Sequence, residues 1–566
     1  MIIDLTNLDI EQSKLLTEVY SEMPEEFNQM VEGIYSNSNK SLGWLFSNIL
    51  SRDVYQCDLV YICAYLALIK RMLEENKKIT KIILDNNNLE QVLTDYFKSN
   101  KLAIQIENRN HFRFKIFLIN SLRPFFFILK NIDWALRNLY VKDQRRLNLI
   151  PKNESLIILD TFLLPNSLEG NIYKDMYYNN IFTFLSKEEK KSVFYLPGIK
   201  VGINKKNIQE AFLKSDNKFI FIHDFLTLKD YAKGLAILFN KKWKRSDAIY
   251  FYGFNVRPVI MKINRRKQFI GSSFKAVLNY LFVQKLIISG FKVKLLVDWN
   301  ENQASDKGLI KGFHTFSPDT SIKGYQGFIT SPEFYFHLCP TPFEIQNEVI
   351  PDEMVVIGKN LLKRIKKFSP SLPVSVGPAL RHLTEKVISN GYSHIKRAVV
   401  LLPLEIQNSV SCISIIAELE EIINNNPFEI FIKPHPAINF ESIVEIAKSK
   451  LKFDFKMINC GLSKALENTD LVIGHGTGAM IEALTNGIPC IILGNRNGIT
   501  ENPVPLSIDH SIWRICYTSD ELKESVVHFL TASNHEKEKY NIMAEAIRHD
   551  YFTPATRENV VALLNL

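Results

Sequence analysis

Disulfide and cysteine-cluster chemistry has no foothold in this chain. Its seven cysteines (Cys57, Cys63, Cys339, Cys412, Cys460, Cys490 and Cys516) are odd in number, scattered, mostly set in apolar runs, and form no CxxC pair. They read as reduced core thiols of a cytoplasmic protein. No uninterrupted apolar run reaches the length of a membrane-spanning helix. The opening MIIDLTNLDIEQ lacks the basic-then-apolar layout of a signal peptide, so export is not expected. No Asp-x-Asp triplet is present to hold a divalent metal, and neither an internal repeat nor a long low-complexity segment interrupts the chain. The formal charge of +9, from 69 Lys and Arg against 60 Asp and Glu, is modest, and no basic helix interleaved with stacking aromatics matches a nucleic-acid motif. A membrane surface or an anionic substrate fits that balance better than nucleic acid, and neither a metal nor a cofactor is expected.

With 566 residues, 46% of them hydrophobic, the chain can support two α/β domains and extra helices. Helical spacing dominates the first 75 residues or so. Strand-like runs follow at 79–85, 101–107, 155–163, 192–199, 218–226 and 292–299. They are continuous rather than alternating, and helical patterns separate several of them, which is the signature of strands buried on both faces of a mostly parallel sheet. A second set lies at 354–358, 398–404, 428–436, 470–476, 489–494 and, less clearly, 513–517. The expected division is a first Rossmann-like domain over 1–345 and a second over 352–530, with a helical tail over 531–566. The break is placed where CPTPFEIQNEVIP carries three prolines, near 340–351.

Two pieces of the second set carry chemistry. FIKPHP is a short strand whose exit presents Lys433, His435 and Pro436. LVIGHGTGAMIEALTNGIPCIIL is a strand, a turn with Gly474, Gly476, Thr477 and Gly478, a helix carrying Glu482, and a third strand. Loops at the carboxyl ends of parallel strands are where open α/β sheets bind ligands, and a glycine turn feeding a helix presents free N–H groups to a phosphate. Glu482 could accept hydrogen bonds from a ribose or be an ordinary solvated helix carboxylate; Pro434 and Pro436 could simply end a strand.

KPHP followed by D-L-V-I-x-x-x-[ST] and E-A-L-x-x-G-I-P resembles the C-terminal half of GT-B glycosyltransferases that assemble bacterial surface polysaccharides. The pattern is most similar to the Kdo, sialic and other nonulosonic acid transferases that use CMP-sugars, and to polyol-phosphate transferases. The resemblance spans roughly residues 401–522 and implies an α/β GT-B fold, two Rossmann-like domains with a cleft between them. It also implies a CMP-sugar donor held by His435 and Thr477, with a glycan or lipid-linked acceptor. A lone Thr477 between glycines stands where sialyltransferases often show paired hydroxyls. Arg381 could pair with a donor phosphate or carboxylate, and Glu405 and Ser409 could line the nucleotide pocket or form a plain turn. UDP- or GDP-sugar transfer, CDP-polyol phosphotransfer and a non-catalytic GT-B scaffold remain as alternatives.

Catalysis on the anomeric carbon calls for a carboxylate from the first domain. The segment VDWNENQASDKG after the 292–299 run packs Asp298, Glu301, Asn302, Gln303 and Asp306 together, and its W-x-E-N-Q run with a downstream G-Y-Q-G-F resembles a subgroup of surface-carbohydrate transferases. Glu301 is therefore the expected general base or nucleophile, with Asp298 second; helix capping is the plainer role for such residues. Asp160, His223 and Asp224 end strand-like runs and are acceptor-side candidates. Finally, residues 111–146 combine aromatics and aliphatics with eight cations against Asp133 and Asp143, the pattern of a basic amphipathic helix pair that lies on an anionic membrane or packs on the sheet.

Overall fold

A computed structural model describes all residues except 76, 110–112, 141, 143–146, 149, 164–166, 170–171, 174, 180, 200–217, 244–247, 268–270, 331–333, 383–395, 426–427 and 437. The continuous apolar runs become two six-stranded, wholly parallel sheets. In space the first runs Val374–Val376, Glu353–Val356, Ser321–Gln326, Lys292–Trp299, Ser155–Leu163, Val193–Ile199. The second runs Phe455–Met457, Phe428–Lys433, Lys396–Leu401, Leu471–Gly474, Cys490–Leu493, Trp513–Cys516. Each order reverses direction once, between Ser155–Leu163 and Lys292–Trp299 in the first sheet and between Lys396–Leu401 and Leu471–Gly474 in the second. These reversals open the crevices in which such sheets bind ligands. Two Rossmann-like sheets in series form the GT-B fold.

Several sequence expectations need correction. The Glu353–Val356 strand pairs with Ser321–Gln326 in the first sheet and carries Val374–Val376 beside it, so the change of sheet falls between Val376 and Lys396 rather than near 340–351. Prolines mark chain turns, and strand partnership is not encoded locally. The runs at 79–85 and 101–107 form a separate three-stranded parallel sheet with Ile2–Asp4, inside a stretch read as helical. The run at 218–226 makes only the Tyr195–Phe219 bridge before turning into the short helix Ile222–Phe225. The expected helix pair is one helix, Arg113–Tyr140, with Pro124 inside it; the remainder of 111–146 lies largely outside the described residues.

The halves are tied at both ends of the chain. Ser13 Oγ on the helix Ile10–Glu22 donates to the Arg496 carbonyl (2.8 Å), and Thr500 N donates to Thr17 Oγ1 (3.0 Å). The helical tail returns to the first sheet: Thr553 N donates to the Ile357 carbonyl (2.7 Å), and Lys323 Nζ donates to the Ala562 carbonyl (2.9 Å).

Candidate functional site

The Lys292–Trp299 strand delivers the first half of the site. Asn302 adopts a left-handed φ of 53° and turns the chain into the helix Ala304–Phe316. That helix lies so close to Gly271–Ile288 that a Cβ on Gly308 would sit 2.0 Å from the Ala276 carbonyl oxygen. Asp306 caps it, its Oδ2 accepting from the Glu301 N–H (3.1 Å) and the Gln303 N–H (3.0 Å). Glu301 is thereby left at the lip with a fixed carboxylate: Oε1 accepts from Trp299 Nε1 (3.1 Å) and Oε2 from Gln303 Nε2 (2.7 Å).

Asp298 does not share that position. It is fully buried, its Oδ2 accepting from Asn300 Nδ2 (2.9 Å). Burial first, then the neighbouring Asp306 and Asp160, raise its pKa well above the ordinary carboxylate value and favour its protonated form. The second catalytic candidate thus lies in the interior, away from the lip that holds Glu301. Beneath the loop, Glu344 is the hub of a buried ion cluster. It accepts from Arg52 Nη2 (2.8 Å), Lys307 Nζ (2.5 Å) and the Thr341 N–H (2.9 Å), and Asn302 Nδ2 donates to the adjacent His337 carbonyl (2.9 Å).

The second half comes from the other sheet. Lys433 is the last residue of Phe428–Lys433, and the turn beyond it, through Pro434 and Pro436, is closed by Ile438 N donating to the His435 carbonyl (3.0 Å). Burial lowers the Lys433 pKa; burial, then the charges of Lys433 and Arg381, lower that of His435, which is neutral at pH 7. Gly476 has φ +59°, and a Cβ there would sit 2.6 Å from Glu501 Oε2, so a side chain is barred. Its N–H donates to the Glu501 carbonyl (3.1 Å). Thr477 Oγ1 accepts from the Ala479 N–H (3.4 Å) at the start of the helix Ala479–Leu484, with Gly478 at the cap.

Three residues of this group stand differently from expectation. Glu482 Oε1 lies 3.3 Å from His382 Nδ1, on the segment linking the sheets. Ser409 is buried and its hydroxyl donates to the Pro403 carbonyl (3.1 Å), which closes a plain turn and leaves nothing for a nucleotide. Glu405 caps the helix Ile406–Ile416 and is exposed.

Arg381 joins the two halves. Its guanidinium lies 5.4 Å from the Tyr177 ring and 5.7 Å from the Trp299 ring, the same Trp299 that holds Glu301. Its charge also reaches His435. Glu301 follows Lys292–Trp299 at the first sheet's reversal, Thr477 follows Leu471–Gly474 at the second's, and Lys433 and His435 follow the strand next to it, with the charge of Arg381 between the two groups. Of the acceptor-side candidates, Asp160 sits in the strand Ser155–Leu163 at the first sheet's reversal, near enough to Asp298 to raise its pKa, and its carbonyl accepts from the Tyr178 hydroxyl (2.8 Å), whereas His223 and Asp224 are not gathered there. Asp224 is buried and the His223 ring packs on Phe221 (5.3 Å), beyond the edge strand Val193–Ile199, two strands away from Glu301. Trp299, Tyr177, Tyr335 and Glu501 were missed; only Trp299, inside W-x-E-N-Q, carried a sequence signal.

No protein-family profile matches the chain, and no curated protein matches it in sequence. Among solved structures, the S. aureus MnaA–UDP complex is 12% identical with TM-score 0.41 over 72% of this chain and 95% of that one. The glycotransferase of kitacinnamycin is 11% identical with TM-score 0.42, over 73% and 100%. A UDP-N-acetylglucosamine 2-epimerase is 11% identical with TM-score 0.40, over 70% and 94%. Similarity at that level carries nothing about the reaction, so function rests on the site itself.

Proposed function

We propose that the chain is a GT-B glycosyltransferase of surface-glycan assembly that takes a CMP-activated sugar, of nonulosonic or Kdo type, without a metal. The observation that carries this reading is Arg381, which lies over the rings of Tyr177 and of Trp299, the residue that holds Glu301, and is close enough to His435 to shift it. Lys433, His435 and Arg381 bind the donor phosphate and stabilise the charge that develops on it as the glycosidic bond breaks. Glu301 removes the proton from the acceptor hydroxyl, or attacks the sugar directly in a retaining course; both roles need the fixed carboxylate.

The test uses pH. His435 has a lowered pKa in the free protein, and a bound phosphate favours its protonated form, so binding takes up a proton. CMP affinity therefore rises as pH falls from 8 through the ordinary imidazole value of about 6.5, and His435→Ala flattens that slope while weakening binding. Calorimetric titration of parent and variant measures both. A pH-independent affinity, or a variant that binds CMP like the parent, contradicts the assignment.

The same reading extends to the surface on which the enzyme works. The helix Arg113–Tyr140 turns Phe127 inward, edge-on to Phe274 (6.1 Å), and leaves Leu122, Phe125, Phe126, Leu129, Ile132 and Leu136 exposed, with Arg123, Lys130 and Arg137 exposed as well. An exposed apolar stripe with cations beside it suits the headgroup region of an anionic leaflet. Among the described residues no helix is long and apolar enough to cross a membrane. Sedimentation with phosphatidylglycerol-containing vesicles is expected for the parent and lost in Phe125→Ser/Phe126→Ser and in Lys130→Glu. A parent that stays in the supernatant refutes this docking role.

A further inference from the structure

The crevice has a second wall of different chemistry, which the donor site does not use. Tyr55 is 62% exposed although its ring stands edge-on to the buried His337, with ring centres 5.9 Å apart. His337 in turn lies 6.1 Å from the ring of Tyr335, whose hydroxyl donates to Glu501 Oε2 at 3.4 Å. The chain of contacts thus runs from the N-terminal helices to a carboxylate of the second domain. Between Tyr55, His337 and Glu301 lies a cavity of about 20 Å³, room for one water. His337 lines it, and its buried Nδ1 has no partner among the described residues. Burial, then Arg52 and Lys307, hold this imidazole near pKa 3, so it is neutral and can exchange hydrogen bonds with a hydroxyl or a water. A buried polar atom left unsatisfied beside an open aromatic face is costly unless a ligand or water completes it.

We infer that Tyr55, His337, Glu301 and Glu501 form the acceptor subsite, and that it takes an uncharged or amine-bearing sugar rather than an acidic one. The sugar ring lies on the exposed Tyr55 face, and its hydroxyls are received by Glu301 and Glu501, whose oxygens are acceptors. The crevice is polarised: Lys433, His435 and Arg381 face the donor phosphate, whereas Glu301 lines the cavity beside Tyr55, and Glu501, whose side chain also backs the Gly476 turn, connects to it through Tyr335. Both carboxylates also add to the raised pKa of the Tyr55 phenol after burial, which puts them within electrostatic reach of that ring. An acidic sugar placed on the Tyr55 face beside the Glu301 carboxylate meets like charge and is rejected. This inference rests on the glycosyltransferase reading for the word acceptor, but the subsite makes its own prediction about which sugars bind.

The experiment is saturation-transfer NMR on the full chain with three probes: methyl β-glucoside, methyl β-glucosaminide and methyl β-glucuronide. The first two are expected to receive saturation and the glucuronide to receive none. Tyr55→Ala, which removes an exposed side chain and leaves the core untouched, is expected to lose the signal of both bound probes. Glu501→Gln is expected to lose the advantage of the amine over the neutral sugar. A glucuronide signal equal to the others, an unchanged Tyr55→Ala variant, or no signal from any probe on the parent overturns the proposal. CMP binding measured on the same samples keeps the two claims apart. Sugar binding without CMP binding removes the donor reading and leaves the subsite standing; CMP binding without sugar binding removes the subsite alone.

Discussion

Glu344→Gln is expected to destabilise the protein by about 3–5 kcal/mol, the cost of removing one partner from a buried ion cluster. Arg52, Lys307 and Glu344 are all nearly inaccessible, with side chains 1% exposed, and Glu344 is the carboxylate that both cations meet. Its loss strands two positive charges in the core and loosens the turn at Asn302, which the same cluster supports through the His337 carbonyl. Burial pushes the Glu344 pKa up, but Arg52 and Lys307 pull harder and leave it below its ordinary value. Its contribution to stability is therefore present above about pH 4.3, the unfolded value, and disappears as pH falls through the lower folded value. Urea unfolding across pH should show that acid-side loss in the parent and not in the variant. Adding Lys307→Met to Glu344→Gln should recover part of the stability, because one stranded charge goes with it. A single-variant loss under about 1 kcal/mol, the scale of an exposed pair, would show that the cluster is not the anchor described.

Glu301→Gln keeps the shape of the loop and removes the charge, so sugar transfer should fall at least ~100-fold, the low end for a positioned acid or base, while CMP binding persists. Asp298→Asn is the matched control. Asp298 is buried away from the lip and burial favours its neutral form, which Asn copies, so transfer should stay near the parental rate. The raised pKa also sets a sign: the contribution of the protonated form is full below the unfolded value of about 3.9 and is lost as pH rises through the folded one, and the Asn variant has no such loss, so its stability relative to the parent grows as pH rises through that window. Parental transfer by Glu301→Gln together with loss in Asp298→Asn would exchange the two roles.

The parts of this molecule that were legible in the sequence are those written locally. Runs such as SLIILDTFL and FEIFIK announced strands buried on both faces, and KPHP with the Gly476 turn marked the exit loops of the second sheet. Partnership was not legible. Glu353–Val356 looks like any short apolar strand, and only its hydrogen bonds to Ser321–Gln326 assign it to the first sheet. Glu501 and Tyr335 meet across 166 residues of chain, and the Arg52–Glu344 pair across 292, with no motif to announce either. In the sequence only the W-x-E-N-Q resemblance ranked Glu301 above Asp298, three residues away. Burial separates them, because one points into the sheet and the other is held at its lip by Trp299 and Gln303.

The central claim is that the crevice between the two sheets binds a CMP-activated donor through protein cations alone. Thermal unfolding with CMP, CDP, UMP, UDP and GDP, each in EDTA and in magnesium, tests it directly, since a ligand that binds only the folded state raises its melting temperature by mass action. The account predicts the largest shift with CMP or CDP, equal with and without magnesium, and lost in His435→Ala. A shift with UDP alone, or one that needs magnesium, would contradict it.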